Sequence, residues 1–489
     1  MRKHKYVALT SVLAILTSAF ALFGLALFSA AFIYRWMNFE GGRYDLINVE
    51  SNIINVITVC TIFAMILFLL IMVLRQVEKM RHPDTIMVTL EYVDENGNRI
   101  RRVQEIEVPH AEKDDKGEGD SKKKKDAGDR FQKLILLDKQ YPKKEYVTST
   151  EDLTLEYLCR RFRSFASRIS GNPLYYSIDD IRRFVAALGV TKIMILQGMS
   201  GTGKTSLPVA WGKFTRVPTT VVPVQPMWKE RSDLIGYFNE FTGKFNESMI
   251  LEKLYEANKT NRIYLIVLDE MNIARVEYYF AEFLSLLELP TVDERILEVT
   301  SSISKKDPKE LHNGKLILPD NVYFIGTANN DDSTFAISDK VYDRSMVMNL
   351  DYRCDPFIGE DDHEPITISD DTLKALFVKA QQEYALTKRG RTHIKEFDKY
   401  LSETFQVTFG NRIRRQIEKY VPIYIACGGT EEEALDDILA KKVLRKLESQ
   451  NPIYIKAKAD DLVNKMGEIF GKDKTPVCEA VIRKLANNS

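Results

Sequence analysis

Residues 192–205 read KIMILQGMSGTGKT, and this stretch decides the fold. Its first half, Lys192 to Gln197, has little polarity, as in a central strand of a parallel sheet buried on both faces. Its second half, Gly198-Met199-Ser200-Gly201-Thr202-Gly203-Lys204-Thr205, fits the pattern GxxxxGK[ST]. In such a loop the glycines let backbone N–H groups curl round phosphates without Cβ clashes. The lysine sets a point charge on the β- and γ-phosphates, and the Ser/Thr hydroxyl ligates Mg²⁺. The helix beginning there aims its positive end at the anion. Gly198, Ser200, Gly201, Thr202, Gly203, Lys204, Thr205 and Ser206 are therefore the candidate nucleotide-binding residues. Upstream, Ser177 with Asp180 resembles a capping box, and Ile181, Phe184, Val185 and Leu188 then fall on one helical face.

Two later strands complete the pattern. Tyr264 to Leu268 (YLIVL) ends in Asp269-Glu270. Behind a phosphate-binding loop, an apolar strand that delivers two carboxylates to its end is the Walker B arrangement. Asp269 is expected to hold Mg²⁺ through water, and Glu270 to polarise the attacking water as general base. Val322 to Gly326 (VYFIG) leads to Thr327-Ala328-Asn329-Asn330-Asp331-Asp332. A polar residue here can orient the lytic water; the alternative is an Asn/Asp turn. Asp343-Arg344 precedes another apolar strand, Ser345 to Leu350. Arg344 is placed to serve as an arginine finger on a neighbour's γ-phosphate, against the alternative of a surface ion pair.

With these pieces in order the chain resembles the AAA+ superfamily, in its McrB-like and dynein-related branch, from about Tyr175 to about Leu447. That branch carries DE(I/M)N and then F-x-E; here stand Asp269-Glu270-Met271-Asn272 and Phe280-Ala281-Glu282. Its MNxxD signature is matched by Ala328-Asn329-Asn330-Asp331-Asp332, which makes Asn329 the sensor-1 residue. FGNRIRR resembles the lid's FGxR stretch, and by that match Arg412 is a sensor-2-like residue reaching the nucleotide. Ala328, Ile273 and Ser333 depart from the restriction GTPases of this branch, which favours ATP and leaves GTP possible. The resemblance implies a ring homo-oligomer, usually a hexamer, with the site between subunits. In relatives the region of Gln225 to Phe245 faces the central channel, so Trp228, Tyr237 and Phe238 are candidates to grip a substrate, or else core residues. Ile296 to Leu318, with Asn313-Gly314 as its turn, looks like a hairpin before sensor 1.

Toward the N-terminus the character changes. Tyr6 to Tyr34 and Ile53 to Leu74 carry no charged residue, and a spanning helix needs about 20 apolar residues. Both are expected to be transmembrane helices; a cleaved signal peptide and a buried core helix are the respective alternatives. Arg2, Lys3 and Lys5 before the first run, and Arg75, Lys79 and Arg81 after the second, place both ends in the cytosol. Alternation from Asp84 to His110 around Asn96-Gly97 predicts a β-hairpin. Glu112 to Arg130, almost all Lys, Asp, Glu, Gly and Ser, reads as a charged tether.

The 489 residues carry 69 basic and 69 acidic side chains, so nothing in the overall charge marks a dedicated nucleic-acid binder. Five scattered cysteines argue for free buried thiols over a disulfide frame, and six histidines without HxxxH or HExxH spacing argue against a metal enzyme. The expected fold class is α/β: a P-loop AAA+ core at 131–355 with a helical lid and C-terminal helices at 356–489. Before it come two transmembrane helices within 1–82, a β unit at 83–111 and the linker at 112–130. The expected function is a multi-pass cell-membrane ATPase, its motor domain cytoplasmic, using ATP and Mg²⁺ to remodel or translocate a protein or nucleic-acid substrate. The alternatives are a GTPase motor activating a partner nuclease in antiphage defence, and a nucleotide-switched membrane scaffold.

Overall fold

The structure is a computed structural model that describes residues 85–93, 99–107, 129–140, 145–146, 148, 153–329, 334–352 and 354–487. The chain divides into two compact units, Met1–Lys122 and Lys123–Ser489. In the first, strands β1 (Thr85–Val93) and β2 (Arg99–Glu107) pair antiparallel, from Thr85 opposite Glu107 to Val93 opposite Arg99. The Asn96-Gly97 turn falls outside the described residues, as does most of the charged linker.

The second unit opens with α1 (Lys133–Gln140), α2 (Leu155–Ser167) and α3 (Ile178–Leu188). Ser177 caps α3, its hydroxyl accepting from Asp180 N at 3.0 Å. Asp180 does not reach back to a backbone N–H as a capping box requires; its carboxylate takes the Ser177 hydroxyl proton instead, at 2.7 Å. There follow β3 (Ile193–Gly198), α4 (Ser206–Phe214), β4 (Thr219–Pro223), α5 (Arg231–Ile235), the hairpin strands β5 (Gly236–Asn239) and β6 (Lys244–Glu247), α6 (Met249–Ala257) and β7 (Tyr264–Asp269). Short helices α7 (Val276–Tyr279) and α8 (Ala281–Leu286) lead to a second hairpin, β8 (Ile296–Glu298) and β9 (Lys315–Ile317). Its turn places Asn313 and Gly314 at φ 55° and 76°, the two successive left-handed residues that an Asn-Gly hairpin turn needs. Then come β10 (Val322–Asn329), α9 (Asp339–Tyr342) and β11 (Met346–Asn349).

The main sheet has the order β11-β3-β10-β7-β4, and every pairing in it is parallel. Both faces are covered, as continuous apolar strands require. Ile193 and Ile195 join one buried cluster, with α6, α8 and the β8–β9 hairpin; Met194 and Leu196 join the other, with α2, α3 and α4. That second cluster continues into the C-terminal helices α10 (Asp370–Glu383), α11 (Lys388–Phe405), α12 (Asn411–Ala426), α13 (Glu431–Lys442), α14 (Pro452–Phe470) and α15 (Pro476–Asn487). The lid therefore packs on the same apolar core as the sheet.

Two expectations are corrected. Among the described residues no helix is long and apolar enough to cross a membrane, so two transmembrane helices and a multi-pass cell-membrane localisation are not supported. The longest described helices, α11 and α14, are amphipathic: one face is buried on the lid core, and the other carries lysines, arginines and acids. The runs that suggested the spans, 6–34 and 53–74, lie outside the described residues.

Candidate functional site

The loop 198–205 sits where β3 ends, and glycine is obligatory at its start. Gly198 has φ +145°, and a Cβ there would lie 2.3 Å from the Leu350 carbonyl oxygen. Gly203 has φ +94°, and its own carbonyl accepts from the Tyr176 hydroxyl at 3.1 Å, tying the loop to the segment before α3. Lys204 is nearly buried; its Nζ donates to the carbonyls of Gly198 (3.0 Å) and Met199 (2.7 Å), so it lies along the inside of the loop.

The acids of β7 arrive beside it. The Thr205 hydroxyl donates to Asp269 Oδ1 at 2.7 Å, joining the two expected Mg²⁺ ligands across 64 residues of sequence. A hydroxyl and a carboxylate are oxygen donors of the kind a hard divalent cation takes, so these residues fit Mg²⁺. Glu270 is exposed and left-handed, with φ 52° and ψ 48°. A non-glycine residue held there is strained, and such strain concentrates at functional sites. β10 runs between β3 and β7, and Asn329 pairs with Gly198 at the loop's first residue. Gly198, Lys204, Thr205, Asp269, Glu270 and Asn329 thus gather at one edge of the sheet.

Sequence reasoning missed Thr327. Its buried hydroxyl donates to Asp269 Oδ1 at 2.8 Å and accepts from Glu270 N at 2.9 Å. One side chain therefore orients Asp269, the acid expected to hold Mg²⁺, and pins the strained backbone of Glu270, the expected base. A threonine inside an apolar strand gives no pattern signal; only the pairing of β10 with β7 reveals it. Asn272 was noted only as part of a signature. Its Nδ2 donates to the Asn329 carbonyl (2.9 Å) and to the Thr334 hydroxyl (3.0 Å), and its carbonyl accepts from Phe335 N (2.8 Å). It clamps both ends of the segment after β10.

Arg344 lies at the other edge. Met346 of β11 pairs with Met194, so Arg344 stands where β3 begins rather than where it feeds the loop. Its Nε donates to Glu288 Oε2 at 2.8 Å, and its Nη1 to the Lys340 carbonyl at 2.9 Å. Arg412, at the start of α12, meets the other oxygen of the same carboxylate, Nε to Oε1 at 2.5 Å. The structure therefore sets Arg412 beside Arg344 and not at the loop of its own chain, because α12 packs along the edge where the strands begin. Both arginines line a cleft of ≈ 710 Å³ with Lys192, Arg295, Asp320 and Lys374. Burial pushes the Lys192 ammonium down to about 8, against the pull of Asp370 and Asp320.

The lid also grips the segment carrying Arg344. Buried Lys442 of α13 donates to the carbonyls of Tyr342 (2.5 Å) and Ser345, and Gln416 Nε2 donates to the Asp343 carbonyl at 3.0 Å. Burial pushes the Lys442 ammonium down to about 7, only partly offset by Asp343.

The aromatic candidates divide. Trp228 packs edge-on to buried Tyr279 at 5.5 Å, a core contact. Tyr237 and Phe238 on β5 are exposed, and Phe241 at the tip of the β5–β6 hairpin is fully so.

Residues 193–345 match the family described as AAA domain (dynein-related subfamily), and residues 366–489 match a domain of unknown function, DUF8727. The chain thus carries an AAA+ domain of the dynein-related kind, with the nucleotide-binding design that implies. Two solved structures are similar in fold. One, a candidate ATPase from Cytophaga hutchinsonii ATCC 33406, is 13% identical over 63% of this chain and 93% of that chain, with a TM-score of 0.41. The other, a full-length MCM homolog from Methanopyrus kandleri, is 10% identical over 60% of this chain and 63% of that chain, with a TM-score of 0.33. No match is found among curated proteins.

Proposed function

We propose that this chain hydrolyses ATP, with Mg²⁺, as a ring of identical subunits, and that the cycle drives remodelling or translocation of a protein or nucleic-acid substrate. The observation that carries the reading is the Thr205–Asp269–Thr327 chain of hydrogen bonds beside Lys204, with Glu270 next to it. Gly198 to Ser206 cradle the triphosphate through backbone N–H groups, and Lys204 swings from its loop carbonyls to the β- and γ-oxygens. Thr205, and Asp269 through water, would hold Mg²⁺, and that ion would supply neutralisation of charge on the phosphates. Glu270 takes the proton of the attacking water, and Asn329 orients that water. Arg344 faces away from its own loop and serves the site of the next subunit; a ring satisfies every subunit in this way. Arg412, on the same carboxylate, points in the same direction and is a second cation for the neighbour's phosphates.

The test is phosphate release from ATP and from GTP. Wild type is expected to turn over ATP faster than GTP, and Glu270→Gln to bind ATP while turning over about 10²–10⁴ times more slowly. Equal rates for the Gln variant and wild type would remove Glu270 from the chemistry. The GTPase alternative, a motor that stimulates a partner nuclease, draws its support from the McrB-like signatures Asp269-Glu270-Met271-Asn272 and Asn329-Asn330-Asp331-Asp332, against the departures at Ala328, Ile273 and Ser333. A clear GTP preference would favour it. Nucleotide binding without turnover would favour the third reading, a nucleotide-switched scaffold.

A further inference from the structure

A second cleft, of ≈ 610 Å³, lies wholly within the lid, between α11, α12 and the end of α10. Its floor is apolar, from buried Leu386, Ile394 and Ile417. Its rim is basic: Arg391 and Lys395 of α11 face Arg414, Arg415 and Lys419 of α12, against one acid, Glu418.

Arg415 and Lys419 also line the cleft that holds Arg344; of these two clefts only the lid cleft is lined by Arg391 and Lys395, and the remaining cations of the Arg344 cleft are paired. There, Lys192, Arg295 and Lys374 share Asp320, and Arg344 and Arg412 share Glu288. In the lid cleft Arg414 is neutralised by Asp398. Nearby acids are likewise engaged: Glu383 with Lys379, Glu396 with Lys465, Glu431 with Thr387. Arg391, Lys395, Arg415 and Lys419 have no ion-pair or side-chain hydrogen-bond partner among the described residues, and all four line this cleft. They form two like-charged pairs, each spaced four residues apart on one helix, an arrangement that costs helix stability unless an anion relieves it.

We infer that the lid cleft is a binding site for a small phosphorylated organic ligand, separate from the loop at β3. The four free cations supply the phosphate contacts, and the apolar floor takes the ligand's organic part. The volume lies within the roughly 300–1,000 Å³ usual for small-molecule sites. This inference does not depend on the ATPase reading.

The experiment uses the full chain with Lys204→Ala, which silences the loop at β3, and two probes: a fluorescent N-methylanthraniloyl ATP and inorganic tripolyphosphate. The Lys204→Ala protein is expected to bind the fluorescent probe and to release it to tripolyphosphate. Adding Arg391→Gln with Lys395→Gln, residues that do not line the Arg344 cleft, is expected to weaken binding at least about tenfold, and Arg415→Glu with Lys419→Glu to weaken it as well. The exchanges Arg415→Lys with Lys419→Arg should retain it. The Gln pair removes a repulsion and is expected to fold at least as well as its parent, so lost binding there is not lost folding. Three results would overturn the inference: no binding of either probe below about 1 mM; binding unchanged by the charge substitutions; or a fluorescein-labelled single-stranded oligonucleotide binding more tightly than both probes and displacing them, which would make the cleft a nucleic-acid surface. Wild-type turnover reports on the loop at β3 separately, so the two readings can fail independently.

Discussion

The two edges of the β11-β3-β10-β7-β4 sheet are built by different rules. Where β3, β7 and β10 end, the working residues come in short local runs, and the sheet register alone brings them together: Gly198 beside Asn329, Thr205 on Asp269. Where the strands begin, Glu288, Arg344 and Arg412 come from three distant segments, and Lys442 and Gln416 reach from the lid to hold the backbone between. Chemistry needs sub-ångström placement, and strand ends on a buried sheet supply it. In the proposed ring the edge that carries Arg344 would meet the next subunit, and lid side chains hold the backbone of that edge in place.

The comparison breaks first at Lys204. Lys204→Ala is expected to abolish nucleotide binding and turnover together, measured by equilibrium binding and phosphate release; retained binding would show that the loop edge does not hold the triphosphate. Arg344→Ala is expected to lower turnover about 10³-fold with binding intact. Mixed with Lys204→Ala protein it should recover activity, because each variant supplies what the other lacks; no recovery would place the arginine in its own site. Thr327→Val keeps the shape but removes the hydroxyl that links both acids. A fall of about tenfold to a hundredfold in turnover, with a raised Mg²⁺ requirement and rescue by Thr327→Ser, is expected at the loop edge. A stability change with normal Mg²⁺ dependence would make Thr327 merely structural.

The smallest effect concerns the lid edge. Lys442 titrates near 7 in the folded chain and at about 10.4 when unfolded. Between those values the unfolded chain holds a proton that the folded chain lacks, so stability rises with pH through the window and levels off below about 7. Lys192, held near 8, adds a shorter stretch of the same sign. Lys442→Met is expected to flatten the rise by up to about 1.4 kcal/mol per pH unit, read from denaturant unfolding at pH 7 to 9. An unchanged slope would mean that the ammonium stays charged in the fold.

At the loop edge most of the site was legible because the chemistry dictates both residue type and spacing. A strand followed by GxxxxGK[ST], and an apolar strand ending in two acids, have few other uses together. Thr327 escaped because a threonine in VYFIGTAN reads as strand filler. Arg412 was legible as a lid residue but not in its direction, since a helix motif says nothing about which sheet edge the helix packs against. Trp228, Tyr237 and Phe238 were one group in sequence and two in space: one half-buried against Tyr279, two exposed on a hairpin.

By itself the sequence determined the candidate phosphate-binding loop, the two acids and the parallel strands that carry them, because a triphosphate site asks for backbone amides, a lysine and carboxylates at fixed spacing. Only the tertiary structure decided which arginines stand together, that one carboxylate holds both, and that Arg391, Lys395, Arg415 and Lys419 line one cleft without partners among the described residues. Such pairings depend on contacts between segments tens to hundreds of residues apart, and helix packing sets those after local spacing has said all it can.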